Sequence, residues 1–208
     1  MNILIADDHS IVRQGLRHII AKQSDWRITA EASTADEVLP ALRRDAIDVV
    51  VLDVTLGGRS GIDVLGNIRS EFPTLPVLML SMHDEEQYAL RCLRAGASGY
   101  IQKDRPAAEL ICAIQRVATG RIYVSSAVAD QLAAELLRGQ AGLPHERLTT
   151  REFEVFRLIA VGKSISEIAG TLNLSANTVS TYRSRILNRT GFRSNADIIA
   201  YAIRNGLV

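Results

Sequence analysis

Five short apolar, β-branched runs alternate with longer amphipathic stretches through the first part of the chain, and this alternation restricts the possible folds more than any other feature. The runs are Ile3–Ala6, Ile28–Ala32, Val49–Leu52, Val77–Leu80 and Gly99–Ile101, and the stretches lie near 10–22, 35–45, 61–71, 85–95 and 106–118. Runs this short and this apolar read as strands buried on both faces. Strands alternating with helical patterns of that length imply βαβ units. The expected fold is α/β, a doubly wound five-stranded parallel sheet with helices on both faces, spanning residues 1–121.

A linker composition follows over 122–145: the spacing predicts a helix at Ser126–Arg138 with Leu132, Leu136 and Leu137 on one side, then the breaker cluster Gly-Gln-Ala-Gly-Leu-Pro. Beyond it the strand signal stops and helix caps take over. Thr149-x-x-Glu152 and Ser164-x-x-Glu167 have the capping-box spacing, Ser175 and Ser194 stand at N-cap positions, and Gly191 and Gly206 fit helix stops. Four helices are expected, near 150–161, 165–172, 176–190 and 195–205, in a small all-α unit at 146–208.

At 208 residues and 47% hydrophobic content, the chain supports one moderate core and a small second one. It has no run of eighteen apolar residues and no charged leader, so neither a membrane partner nor a secretion signal is expected, and the default address is cytoplasmic. Cys92 and Cys112 lie in apolar helical patterns without metal-ligand spacing, so both read as buried reduced thiols. Net charge is +1, but residues 1–145 carry 15 Lys+Arg against 18 Asp+Glu, while 146–208 carry 9 against 5. The second part is therefore the one suited to an anionic partner.

The run VVVLDV ends its apolar residues on a carboxylate, Asp53, where an unpaired charge costs several kcal/mol. In a doubly wound sheet, ligands gather outside the carboxyl ends of the strands. Asp53 lies at such an end, as do Asp7 and Asp8 after the first strand, Ser81 after the fourth and Lys103 after the fifth. Carboxylates about 4 Å apart repel by about 4 kcal/mol at an effective dielectric of 20, so three on one rim call for a cation. Oxygen ligands with room for water favour Mg2+, which also takes phosphate oxygens. The chemistry this suggests is phosphoryl transfer to Asp53 as nucleophile, with Lys103 as a point-charge clamp and the Ser81 hydroxyl donating to a phosphoryl oxygen. No glycine-rich phosphate loop is present, which disfavours a nucleotide donor.

In the second part, the segment Ser175–Thr190 sets Val179 and Ile186 on one helix face with Tyr182 nearby. Asn177, Ser180, Thr181, Ser184 and Asn188 cluster opposite, flanked by Arg183 and Arg185. Small hydrogen-bonding side chains bordered by arginines suit a helix that enters a major groove: the centre approaches base edges and the flanks reach phosphates. The helix before it, SISEIAGTLNL, gives helix-turn-helix order.

The motifs ILIADDHS, VVVLDV and MLSMHDEEQYALRCLRAGASGYIQKD, together with the C-terminal block, resemble a two-component response regulator of the NarL/FixJ type along nearly the whole chain. The resemblance implies a flavodoxin-like receiver at 1–121 and a LuxR-type helix-turn-helix domain at 146–208. It further implies that a sensor histidine kinase donates a phosphoryl group to Asp53. Mg2+ would be held by Asp7, Asp8, Asp53 and the Thr55 carbonyl, with Ser81, Lys103 and the aromatic Tyr100 as the switch. Carried over residue by residue, it assigns base contact to Ser180, Thr181 and Ser184, and phosphate contact to Lys163, Thr178, Arg183 and Arg185. Arg183 stands where the family is often apolar. The partners implied are double-stranded promoter DNA and a second copy of the chain, since one small module binds weakly and two on adjacent half-sites bind far better.

The chain departs from the family after Asp53, where Leu56-Gly57 replaces the usual Met-Pro; a glycine there is expected to loosen the backbone beside the site. His83 faces the same rim as Ser81 and is a further candidate for influencing dephosphorylation. Two other classes fit less well. An aspartyl-phosphate phosphatase usually wants a second Asp where Thr55 stands, and a constitutive DNA-binding protein with a degenerate receiver would lack Asp53, Lys103 or a metal carboxylate. A regulator, not an enzyme with an external substrate, is the expectation.

Overall fold

A computed structural model of the chain describes residues 1–82, 85–138 and 143–208, without the side chains of 85–87, 135–138 and 150. His83 lies outside the described residues, as do the side chains of Leu136 and Leu137. The chain divides into two compact units, Met1–Leu137 and Arg138–Val208. That division falls inside 122–145, the stretch whose composition reads as a linker.

In the first unit the elements are β1 (Asn2–Ala6), α1 (Ser10–Ile20), β2 (Arg27–Ala32), α2 (Ala35–Arg44), β3 (Val49–Asp53), β4 (Thr55–Leu56), β5 (Arg59–Ser60), α3 (Gly61–Glu71), β6 (Val77–Ser81), α4 (Glu85–Arg94), β7 (Gly99–Gln102), α5 (Ala107–Ala118) and α6 (Ser126–Arg138). Five strands form one parallel sheet in the order β2-β1-β3-β6-β7. This is the doubly wound sheet expected from the apolar runs. Strand residues alternate between faces, and one set (Ile3, Ile5, Val49, Val51, Leu78, Leu80, Ile101) packs with Leu16 and Ile20 of α1 and with Leu110, Ala113, Ile114 and Val117 of α5. The other set, including Leu4, Val50, Leu52, Val77 and Met79, is also buried. Fully burying one such side chain contributes about 1.5–3 kcal/mol, so both faces of the central strands must be apolar; the polar exceptions fall at the strand ends.

After α5 the chain returns to the sheet edge. Tyr123 bridges Gly99, with the Tyr123 N–H on the Ser98 carbonyl at 3.1 Å and the Tyr100 N–H on the Tyr123 carbonyl at 3.0 Å. A Cβ at Gly99 would lie 2.7 Å from that Tyr123 oxygen, so only glycine permits this cover on an otherwise open strand edge.

The two cysteines part company. Cys92 is buried, and burial pushes its thiol well above the ordinary range, but Cys112 is exposed. The buried stripe of α5 is Leu110, Ala113, Ile114 and Val117, and position 112 lies roughly opposite it at 100° per residue. Reading both as buried is thus wrong for Cys112. A thiol reagent should titrate one cysteine quickly in the native chain and the second only on unfolding; two fast thiols would contradict the buried placement of Cys92.

The second unit has a 3-10 turn at Pro144–Arg147, then α7 (Thr150–Ala160), α8 (Ile165–Leu172), α9 (Ala176–Thr190) and α10 (Asn195–Arg204). The capping boxes read from sequence are formed: Thr149 and Ser164 oxygens accept from the backbone N–H of Glu152 and Glu167, whose side chains bond back to the cap residues. Such caps contribute about 1 kcal/mol each. The core joins Phe153, Phe156, Ile159, Ile168, Val179, Ile186, Ile198 and Ala202. Glu152, also buried, ion-pairs Arg189 at 3.3 Å and so ties the start of α7 to the end of α9.

Candidate functional site

The sheet order reverses between β1 and β3, whose crossovers lead to opposite sides, and the carboxyl ends at such a reversal are where doubly wound sheets place their ligands. Asp53 is the last residue of β3, and Asp7 follows β1, its N–H held by the Ala32 carbonyl at 3.1 Å. Ser81 ends β6, and Lys103 follows β7 with its N–H on the Ser81 carbonyl at 2.8 Å. Local strand pairing alone therefore brings four of the expected residues to one rim.

Their side chains meet. Lys103 Nζ donates to Asp53 Oδ2 at 2.6 Å and stands 2.7 Å from Asp7 Oδ2. Each of the three side chains is at most 4% exposed. Asp7 Oδ2 makes no hydrogen bond despite that proximity. Its contact with the ammonium is one of charge, and the alignment of the ammonium favours Asp53. Asp7 Oδ1 accepts from the His9 N–H at 2.8 Å, and the Thr55 N–H donates to Asp53 Oδ1 at 3.2 Å. Burial raises the Asp53 carboxyl to about 6; the Lys103 ammonium opposes the rise, and the Asp7 charge adds to it. In the described structure positive charge thus reaches this rim from Lys103 itself, which offsets part of the carboxylate repulsion without a divalent ion. Ser81 is buried at the end of β6, in register with Gln102; Tyr100 is buried too, but pairs with Met79, two residues short of that rim.

One ligand atom each from Asp7, Asp8, His9 and Asp53 fits within 4.8 Å of the others. Three carboxylates, with a buried Asp7 oxygen left without a hydrogen bond, form a donor set that suits a hard divalent cation. His9 was not singled out from sequence: its Nδ1 is 2.8 Å from Asp8 Oδ1 and 3.2 Å from Asp7 Oδ1. Its place directly after the paired aspartates was the available signal.

The loop after Asp53 forms a defined turn on its glycines. Thr55 pairs with Ser60 and Leu56 with Arg59 in an antiparallel hairpin closed by Gly57 (φ 58°) and Gly58 (φ 78°). Two consecutive positive φ values make the tight turn that matches strand twist, and the Gly-Gly pair allows it without strain. A Gly-Gly dipeptide between short extended pairs is itself a hairpin signal in the sequence. Arg59 adds an ion pair to Asp36 at 2.5 Å.

In the second unit, α8 ends at Asn173 in the left-handed conformation (φ 53°, ψ 45°), and Ser175 caps α9 by accepting from the Thr178 N–H. This short turn sets the two helices in helix-turn-helix order. Val179 and Ile186 are buried while Asn177, Ser180, Thr181, Ser184, Arg185 and Asn188 are exposed, as the helical period requires. The Thr181 and Ser184 hydroxyls donate to the carbonyls of Asn177 and Ser180 at 3.0 and 3.1 Å, which leaves their oxygen lone pairs outward. Lys163 is exposed and reaches Thr171 Oγ1 at 3.2 Å, and Thr178 is half-buried against Ser175. Arg183 turns away from the polar face: its Nε donates to Asn195 Oδ1 of α10 at 2.6 Å.

These two constructions match known families. Residues 3–115 match the response regulator receiver domain, and residues 146–202 match the bacterial regulatory proteins of the luxR family. Response regulator UvrY of Escherichia coli is 31% identical over 208 residues, covering 100% of this chain and 95% of that protein. Oxygen regulatory protein NreC of Staphylococcus aureus is 33% identical over 215 residues, covering 100% and 99%. Among solved structures, RcsB of Salmonella enterica serovar Typhimurium, bound to a promoter in the presence of phosphomimetic BeF3-, aligns with a TM-score of 0.63 at 25% identity over 97% of each chain. Among the described residues no helix is long and apolar enough to cross a membrane. With a receiver whose buried aspartates meet a lysine at the strand ends, and a helix-turn-helix unit after it, the chain belongs to the LuxR-type response regulators, DNA-binding transcription regulators rather than enzymes.

Proposed function

We propose that Asp53 accepts a phosphoryl group from a sensor histidine kinase, and that this modification controls binding of the 146–208 domain to promoter DNA. The supporting observation is the buried meeting of Asp53, Asp7 and Lys103 at the strand-order reversal. In the transfer, an Asp53 carboxylate oxygen attacks phosphorus, the P–N bond of the phosphohistidine breaks, and its electron pair leaves on the imidazole, which takes a proton. Asp7, Asp8, Asp53 and the Thr55 carbonyl would hold Mg2+, which when bound neutralises phosphoryl charge. Lys103, already at Asp53, then pairs a phosphoryl oxygen, and the Ser81 hydroxyl donates to another. Movement of Ser81 and Tyr100 biases the surface near β6 and β7. The receiver is taken as 1–121 and 122–145 as the connection to the DNA-binding domain.

Ser180, Thr181 and Ser184 contact base edges, and Lys163, Thr178, Arg183 and Arg185 contact phosphates. Two copies on adjacent half-sites supply the affinity one module lacks; the promoter-bound RcsB structure is the parallel. Such a protein works in the cytoplasm, where the kinase domain and DNA are both accessible. Gel shifts on genomic fragments test the proposal, with and without a small phosphodonor and Mg2+, for wild type and Asp53→Ala. Tight binding is expected only for wild type with both additions, and equal binding in all four arms rules out the switch. On a preferred duplex, Arg185→Ala should weaken binding to all sequences alike and reduce the log-log salt slope by about one, whereas Ser184→Ala should relax preference at one base position by about 1–3 kcal/mol. A sequence-independent loss for Ser184→Ala would remove it from base contact.

A further inference from the structure

Arg183 is placed on α9 where an apolar side chain would be expected. At about 100° per residue its Cα lies about 40° around the helix from buried Val179, and about 120° from the middle of the exposed polar face. Arg185 borders that face from the other side. An arginine so near the buried stripe must send its guanidinium back out past a neighbour, and here the neighbour is Asn195, whose Oδ1 accepts from Nε at 2.6 Å in a half-buried setting. No other hydrogen bond or ion pair engages Arg183 among the described residues, so the two terminal amino groups remain for another partner. The backbone that carries Asn195 is held by the helix cap. Asn195 opens α10 directly after Ser194, whose side chain accepts from the Asp197 N–H. Exposed Arg193 stands on the same connection, its N–H bonded to Asp197 Oδ2 at 2.8 Å.

We propose that Asn195 is a positioning residue that holds the Arg183 guanidinium as a fork for a DNA backbone phosphate, extending the interface from α9 onto the start of α10. This rests on the DNA-binding reading above. The planar guanidinium matches phosphate in a two-pronged fashion, and a bond at Nε fixes its plane while leaving the outer edge available. Phosphate contacts flank the base-reading face and set its register, and a side chain held before binding loses less freedom when it binds.

The test uses the full chain treated with phosphodonor and Mg2+, and a labelled duplex that the wild type selects from a random-sequence library, read by anisotropy across salt concentrations. Arg183→Gln should lose about tenfold in affinity and about one from the log-log salt slope. Asn195→Ala should lose about fivefold, with no further loss in the Arg183→Gln background. The deciding variant is Asn195→Asp. A carboxylate keeps or strengthens the tie between α9 and α10, so a purely structural bond would leave melting and DNA binding as in wild type. A positioning role instead gives about tenfold weaker binding at unchanged melting temperature, because the guanidinium is neutralised, and the loss shrinks in the Arg183→Gln background. Wild-type affinity for Asn195→Asp, or an equal loss in both backgrounds, overturns the proposal. A wild type that enriches no duplex overturns the DNA-binding reading, and this inference with it.

Discussion

Asp53→Asn should abolish incorporation of phosphoryl groups and at the same time make the first unit more stable near neutral pH. The loss follows from removing the attacking oxygen. The gain follows from burial: the folded carboxyl titrates at about 6, against 3.8 for the exposed group. A raised carboxylate favours the fold fully below its unfolded value, and that contribution disappears as pH rises through the folded one. Above about pH 6 the native state therefore carries the whole cost of an ionised Asp53, about 3 kcal/mol. Asparagine removes this cost but also takes a partner from Lys103, which keeps Asp7 at 2.7 Å. The expected net gain is about 1–3 kcal/mol at pH 7.5, shrinking toward zero by pH 4. Denaturant melts of both proteins across this range check it. A destabilised Asp53→Asn at pH 7.5 would mean that the pair with Lys103 outweighs desolvation.

The second large effect is expected at Gly61, the first residue of α3. A Cβ there would lie 1.9 Å from the Asp53 carbonyl oxygen and 3.1 Å from that of Val54, and the Gly61 N–H donates to the Val54 oxygen at 2.7 Å. Both obstacles are backbone of the very segment that carries the phosphoacceptor, so nothing flexible can yield. Gly61→Ala should push the start of α3 away from the end of β3, destabilise the unit by about 3 kcal/mol or more, and slow phosphorylation from a small phosphodonor at least about tenfold as Asp53 loses its alignment. Gly66→Ala is the matched control, in the same helix with nothing within 4 Å of its Cβ. It should be neutral or stabilising by about 0.5–1 kcal/mol. Near-equal stability of the two variants would show that α3 shifts at little cost.

Both predictions concern backbone-held geometry around one residue, and so does the hairpin at Gly57-Gly58. Pairing next to a two-residue turn engages Leu56 and Arg59, and by the alternation of antiparallel ladders the following pair, Thr55 and Ser60, exchanges no bonds. The Thr55 N–H accordingly serves Asp53. The dipeptide that stands in place of the usual proline supplies the turn of that hairpin.

The sequence by itself determined the strand and helix order, the rim carrying Asp7, Asp53, Ser81 and Lys103, and the caps at Thr149, Ser164, Ser175 and Ser194. All of these follow from local period and local hydrogen bonding, which a few neighbouring residues specify. It did not determine that Lys103 joins Asp53 to Asp7, that His9 leans on both aspartates, that Gly61 must be bare for α3 to meet β3, that Cys112 faces water, or that Arg183 turns to Asn195. His9 meets its own chain neighbours through the bend that follows β1; the others depend on which elements face one another, from Gly61 against the end of β3 to Lys103 fifty residues from Asp53, and packing decides that only once the sheet and helices have assembled.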